Sequence, residues 1–155
     1  MIQRIQSVYL ILTTILSVLF LNGNMLRFND ASGIVIEMKI SGILKLHTGS
    51  ESEHLGSLLP LVIPVLLTAV ISLLTVFLFR NRRLQIRFTT AALFLSFSVV
   101  LATSAYAIFV IRKFDAEIIW SIKMVLPFLM IVFLFLAYRG IRKDDELVKS
   151  YDRLR

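Results

Sequence analysis

Four long apolar runs, separated by shorter polar segments, dominate the pattern of this 155-residue chain. Residues 5–21, 58–79, 88–111 and 124–138 contain no Asp, Glu, Lys or Arg, and each predicts a helix. The runs are apolar all round, whereas a helix facing water on one side needs a polar face. They are also too continuous for the short alternating strands of a β-barrel. At about 1.5 Å per residue the second run reaches about 33 Å, enough to cross a hydrocarbon layer of about 30 Å with a little tilt. The fourth run is short. It becomes adequate if its helix starts near Ile118, with Lys123 inside the first turns reaching back to the head groups and Trp120 in the interfacial belt. The predicted fold is an all-α membrane protein of one domain, a four-helix transmembrane bundle with spans near 5–21, 58–79, 88–111 and 118–138.

The segment 22–57 follows another period. From Ile34 onward, Ile34, Ile36, Met38 and Ile40 alternate with other residues and fall on one face of a predicted strand. Residues 43–46 can return as a second strand after Ser41 and Gly42, and 25–28 offer a third. A small extracytoplasmic β-hairpin or sheet between the first two helices is expected. Because an isolated hairpin is marginal in water, its apolar face should rest on the helix ends or on another protein, which makes Ile34, Ile36, Met38 and Ile40 candidate partner contacts. His47, Glu51, Glu53 and His54 could in principle ligate a divalent cation. Gly49, Ser50 and Ser52 between them read as a flexible linker that fixes no ligand geometry, so no metal or other cofactor is expected.

Composition supports the same class: 57% of residues are hydrophobic, against roughly 45 to 50% in ordinary soluble chains. The formal charge of +7 is distributed unevenly. Arg4, Arg80, Arg82, Arg83, Arg87, Arg139, Arg142, Lys143, Lys149, Arg153 and Arg155 lie on one side of the predicted bundle, eleven of the seventeen cations. The positive-inside rule puts that side, with both termini, in the cytoplasm. Arg80, Arg82, Arg83, Arg87, Arg139, Arg142 and Lys143 are then topogenic cations that meet anionic lipid. Nucleic acid is not an expected partner, since the basic segment RNRRLQIR has neither interleaved aromatics nor a binding module. SVLFLNGN lacks a small-x-small cleavage site, so the first run is expected to be a retained helix.

Within the spans the polar groups are chiefly hydroxyls. Thr68, Ser72 and Thr75 share one helical face; Thr89, Ser96 and Thr103 repeat every seven residues with Ala92 on the same seam. Such stripes let helices approach closely and predict packing ahead of a permeation path. No ionisable side chain stands near a midplane, where a pump or ion channel would need one. Pro60 falls at a helix start, while Pro64 and Pro127 are placed to bend their helices. The chain has no cysteine, and no GxSxG, HExxH or Gly-rich phosphate loop.

After Gly140, expected to separate span from tail, the segment 139–155 forms a polar helix with Leu147, Tyr151 and Leu154 on a narrow apolar stripe, a second candidate partner surface. MIQRIQSVYLIL, RNRRLQIR and RGIRKDDELVKSYDRLR resemble, over the whole length, a family of small bacterial four-helix membrane proteins classed as a domain of unknown function and found chiefly in Bacteroidetes. The resemblance implies an inner-membrane location and brings no activity, cofactor or catalytic residue. The expected function is a non-enzymatic accessory or scaffold subunit of an envelope complex, contacting lipid and a membrane-protein partner through the outer loop and tail. A small oligomeric transporter or channel with a Ser/Thr-lined route is the alternative, and a lipid- or quinone-handling membrane enzyme the second.

Overall fold

The computed structural model describes residues 3–30, 34–47, 50–78 and 81–153, with side chains described over 5–30, 34–45, 56–78 and 81–148. Four helices, α1 (Gln3–Leu21), α2 (Leu59–Phe77), α3 (Arg82–Phe114) and α4 (Leu126–Arg153), are joined by five strands, β1 (Leu26–Asn29), β2 (Val35–Lys39), β3 (Gly42–His47), β4 (Ser50–Gly56) and β5 (Glu117–Ile119). Each helix packs on its neighbours in sequence, and α1 closes the ring against α4. Three of the helical segments are long and apolar enough to cross a membrane, and a shorter apolar stretch, Ile5–Leu21, lies in α1.

Polarity in the bundle runs opposite to that of a water-soluble protein. Thr13, Ser17, Thr68, Ser72, Thr75, Thr89 and Ser96 are fully buried, whereas Ile11, Leu66, Leu73, Phe94, Leu101, Phe128 and Phe135 are exposed. The predicted stripe Thr68, Ser72, Thr75 is buried on α2, and Thr89, Ala92 and Ser96 are buried on α3, whereas Thr103 is half-buried. Most of these hydroxyls donate to a carbonyl one turn back in their own helix, as in Thr13 to Tyr9 (2.9 Å), Thr68 to Pro64 (2.7 Å), Thr75 to Ile71 (2.6 Å) and Thr89 to Gln85 (2.8 Å). Satisfied internally, they act as small side chains toward the next helix. Leu10, Ala92, Leu134 and Ala137 fill the space between them.

The sheet is larger than a hairpin. Its strand order is β4-β3-β2-β1-β5, with every pairing antiparallel. Its apolar face, with Leu26, Phe28, Ile36, Met38 and Ile43, packs on Phe20 and Leu21 of α1, on Leu61 and Val65 of α2, and on Val110 of α3. Each such side chain removed from water contributes about 1.5 to 3 kcal/mol. This is how a sheet too small to be stable alone is held in place.

Several sequence expectations are corrected. Residues 50–56 form strand β4 beside β3 where a flexible linker was expected, because the β3 edge supplies a partner for their backbone. Ile118 does not begin the fourth helix: Glu117–Ile119 pairs with β1. The chain leaves α3 through Asp115 in the left-handed region (φ 48°) and re-enters helix by a 3-10 turn, Ile122–Val125. Pro127 consequently lies in the first turn of α4, where a missing N–H costs little, and does not bend it. α3 begins at Arg82, taking much of the basic segment into the helix.

Gly140 is also not a break. α4 runs through it without interruption, and a Cβ there would stand 2.8 Å from Cγ of Gln6 on α1. The glycine is a point of close approach, which offsets the roughly 1 kcal/mol that it costs inside a helix. Gly140→Leu should therefore separate α1 from α4 and destabilise the protein by about 1 to 3 kcal/mol, read as a lower thermal midpoint in detergent with helix content retained by circular dichroism. An unchanged midpoint would refute the close-packing role.

Candidate functional site

At the end of the bundle away from the sheet, polar side chains from three helices meet. Gln6 on α1 donates through Nε2 to Asp144 Oδ2 on α4 at 2.7 Å, and both residues are buried. Arg82, at the start of α3, donates to the Asp144 carbonyl at 2.8 Å. Gln85, one turn further, donates to the Thr75 carbonyl of α2 at 3.4 Å. This cluster ties the tail half of α4 to the other helices. Its chemistry is that of a clasp: the buried Asp144 carboxylate is met by the neutral Gln6 amide.

The outer face of the sheet centres on Glu37. The residue is 7% exposed, and its carboxylate receives Arg27 Nε at 3.1 Å, Lys39 Nζ at 2.8 Å and Asn24 Nδ2 at 2.7 Å. Strand register causes the arrangement: Arg27 stands directly across from Glu37, and Lys39 is two residues along the same strand face. Lys45 pairs with Asp30 at 2.8 Å and lies over the Phe114 ring, joining the sheet to the end of α3. The Glu37 pairs lie on the outer sheet surface and hold β1 and β2 in register, whereas Lys45, across from Ile36, forms its largely buried pair with Asp30 on the helix-facing side.

Beside this network lies a recess of about 310 Å³ lined by Asn24, Leu26, Arg27, Ile119, Trp120, Ser121 and Lys123. Gly23, at φ +73°, turns the chain from α1 toward β1, and the Lys123 ammonium donates to the Asn22 carbonyl next to it. A second, shallower groove runs along α4 past Phe135, Tyr138, Arg139, Arg142, Lys143 and Glu146. There the Glu146 carboxylate, 3.0 Å from Arg142 Nε, raises the guanidinium pKa further.

The candidate residues read from sequence are scattered. Ile36 and Met38 are fully buried against the chain's own helix ends, which removes them as partner contacts; Ile34 is half-buried, and Ile40 is exposed at the β2–β3 turn. Leu147 is exposed on α4, Tyr151 lies in α4 with its side chain outside the described residues, and Leu154 lies outside them altogether. His47 is in β3, and Glu51, Glu53 and His54 are in β4, with Glu53 across from Lys45 and His54 across from Leu44. Their side chains are outside the described set, within which no three His, Cys, Asp or Glu residues group as metal ligands. Arg80 is outside the described residues; Arg83, Arg87, Arg139, Arg142 and Lys143 are exposed, whereas Arg82 is half-buried and engaged with α4. Asp115 and Glu117 are exposed.

Sequence reasoning passed over Gln6, Asn24, Glu37 and Asp144. A signal existed for Gln6, the one amide in the first apolar run, because an amide at that depth needs a partner. For Glu37 and Asp144 the sequence shows only a charge among other charges.

A family model described as "Domain of unknown function (DUF4293)" matches residues 2–154, in line with the whole-length resemblance. No curated protein and no solved structure matches the chain. Glu37→Ala removes the shared acceptor of Arg27, Lys39 and Asn24, and Asp144→Ala strands the Gln6 amide. Each should cost about 1 to 3 kcal/mol, measured as a fall in thermal midpoint, with Glu37→Gln falling less than Glu37→Ala.

Proposed function

Because the chain belongs to the DUF4293 family, for which no activity is described, we propose from its own geometry that it is a non-enzymatic, four-span protein of the bacterial inner membrane, an accessory or scaffold subunit of a larger envelope assembly. The observation that carries this reading is the inverted polarity of the bundle: hydroxyls buried, large apolar side chains outside. In water that arrangement would expose many Leu, Ile, Val and Phe side chains at a cost of about 1.5 to 3 kcal/mol each; in hydrocarbon it costs nothing. α1, equal in length to α2 but with the shortest apolar stretch, Ile5–Leu21, spans with help from the sheet packed on its end. The basic start of α3 and the charged half of α4 lie together at the end away from the sheet, which supports a cytoplasmic location for that end and for both termini.

A scaffold role is supported by what the interior holds. The buried hydroxyls are mostly bonded to their own helices and have no exposed surface, the condition of a packing seam. The carboxylates Asp115 and Glu117 are exposed on the segment that follows α3. Ile40 on the sheet and Leu147 on α4 are exposed apolar positions at opposite ends of the molecule, where a neighbouring membrane protein would make contact. The transporter alternative draws support from Ser72 and Ser96, whose buried hydroxyls have no hydrogen-bond partner.

Lacking native cysteines, the chain can be probed one position at a time. Ser41→Cys should react with a membrane-impermeant maleimide in intact spheroplasts, and Lys143→Cys only after permeabilisation. Labelling of both from outside would overturn the topology. Purified in mild detergent, the tagged protein should carry a stoichiometric membrane-protein companion that is lost in Ile40→Asp or Leu147→Asp; a lone monomer would overturn the scaffold role, and solute flux in liposomes would favour the transporter.

A further inference from the structure

We propose that the recess between β1, β5 and the 3-10 turn seats the phosphate of an anionic phospholipid, whose acyl chains run down the outer face of α4; this rests on the membrane-spanning reading above. The recess measures about 310 Å³, at the lower end of the roughly 300 to 1,000 Å³ of ligand sites. Its polar wall is Arg27, Lys123, Asn24 and Ser121, its apolar wall includes Trp120 and Ile119, and no acidic residue lines it.

Charge around the recess is unbalanced. Arg27 and Lys39 share the single carboxylate of Glu37, and Lys123 has no ion-pair partner among the described residues, its ammonium donating to the Asn22 carbonyl. An ammonium has three donors and a guanidinium five, so both side chains keep N–H groups for an anion. A phosphate accepts from several donors at once and suits such a pair. The positions are set by the fold: Arg27 by strand register against Glu37, and Lys123 by the 3-10 turn that follows β5.

Phosphate alone would use the cations and nothing else. What favours a lipid is the surface that adjoins them. Trp120 is 88% exposed and Ile122 84%, and below them Val125, at the end of the 3-10 turn, and Phe128, in the first turn of α4, are exposed. An indole at this level is suited to the boundary between head groups and acyl chains. The strip from Trp120 to Phe128 therefore starts at the cationic recess and continues into the hydrocarbon layer.

Trp120 is the only tryptophan and reports on the site directly. The full chain in dodecylmaltoside micelles is titrated with brominated-chain phosphatidylglycerol or phosphatidylcholine, and quenching of Trp120 fluorescence is followed. The anionic lipid should quench at about fivefold lower mole fraction for each cation engaged. The preference should disappear in the double variant Arg27→Gln, Lys123→Gln, persist in Lys123→Arg, and be unaffected by millimolar inorganic phosphate. Equal quenching of the unaltered protein by the two lipids would overturn the headgroup seat while leaving the span reading intact, and needs no variant. Quenching by neither lipid would overturn the span reading itself. Displacement of the brominated anionic lipid by inorganic phosphate would overturn the lipid as occupant in favour of the free anion, and a preference surviving the double variant would overturn the location.

Discussion

The whole architecture depends on how the buried hydroxyls are satisfied. A Thr or Ser that donates to its own helix one turn back needs nothing from its neighbour, so α1, α2 and α3 can present such residues inward and still pack closely. Small inward faces leave the bulky Leu, Ile, Val and Phe side chains to the outside. The same economy shows at Gly140, where the absence of a side chain admits Gln6 and lets Asp144, one turn on, receive the Gln6 amide.

The two ends of the bundle are finished differently. One end is closed by an apolar contact: the sheet lays Leu26, Phe28, Ile36 and Met38 on the helix termini, and its outer face is organised by one carboxylate, Glu37. The other end is closed by directional hydrogen bonds among Gln6, Arg82 and Asp144. Burial of apolar surface tolerates variation in side-chain shape, whereas the clasp requires particular donors and acceptors. Function in the proposed scaffold would therefore be carried on a frame whose interior is packing and whose chemistry lies at the rims.

Parts of this frame were legible because they repeat locally. The Thr68, Ser72, Thr75 stripe follows helical spacing and is buried as that spacing implies. The alternation through Ile36 and Met38 gave strand β2 and an apolar sheet face resting on helix ends, which then excluded those two residues as contacts for another protein. Glu117–Ile119 was not legible: three residues are too few for a period, and their β-branched pair reads equally well as the start of a helix. β4 was missed because its composition, SESEHLG, is that of a linker, and only the neighbouring edge of β3 makes it a strand.

From the sequence alone come the four apolar runs, the alternating segment between the first two, the uneven distribution of cations and the family, since each is a property of neighbours along the chain. The tertiary structure decided which polar residues matter. Gln6 and Asp144 are 138 positions apart, and the recess joins β1 to the turn after β5. Neither pairing has a period or a spacing that a linear reading can detect. They exist because α1 closes the ring on α4, and because β5 finds its hydrogen-bonding partner in a strand formed near the other end of the chain.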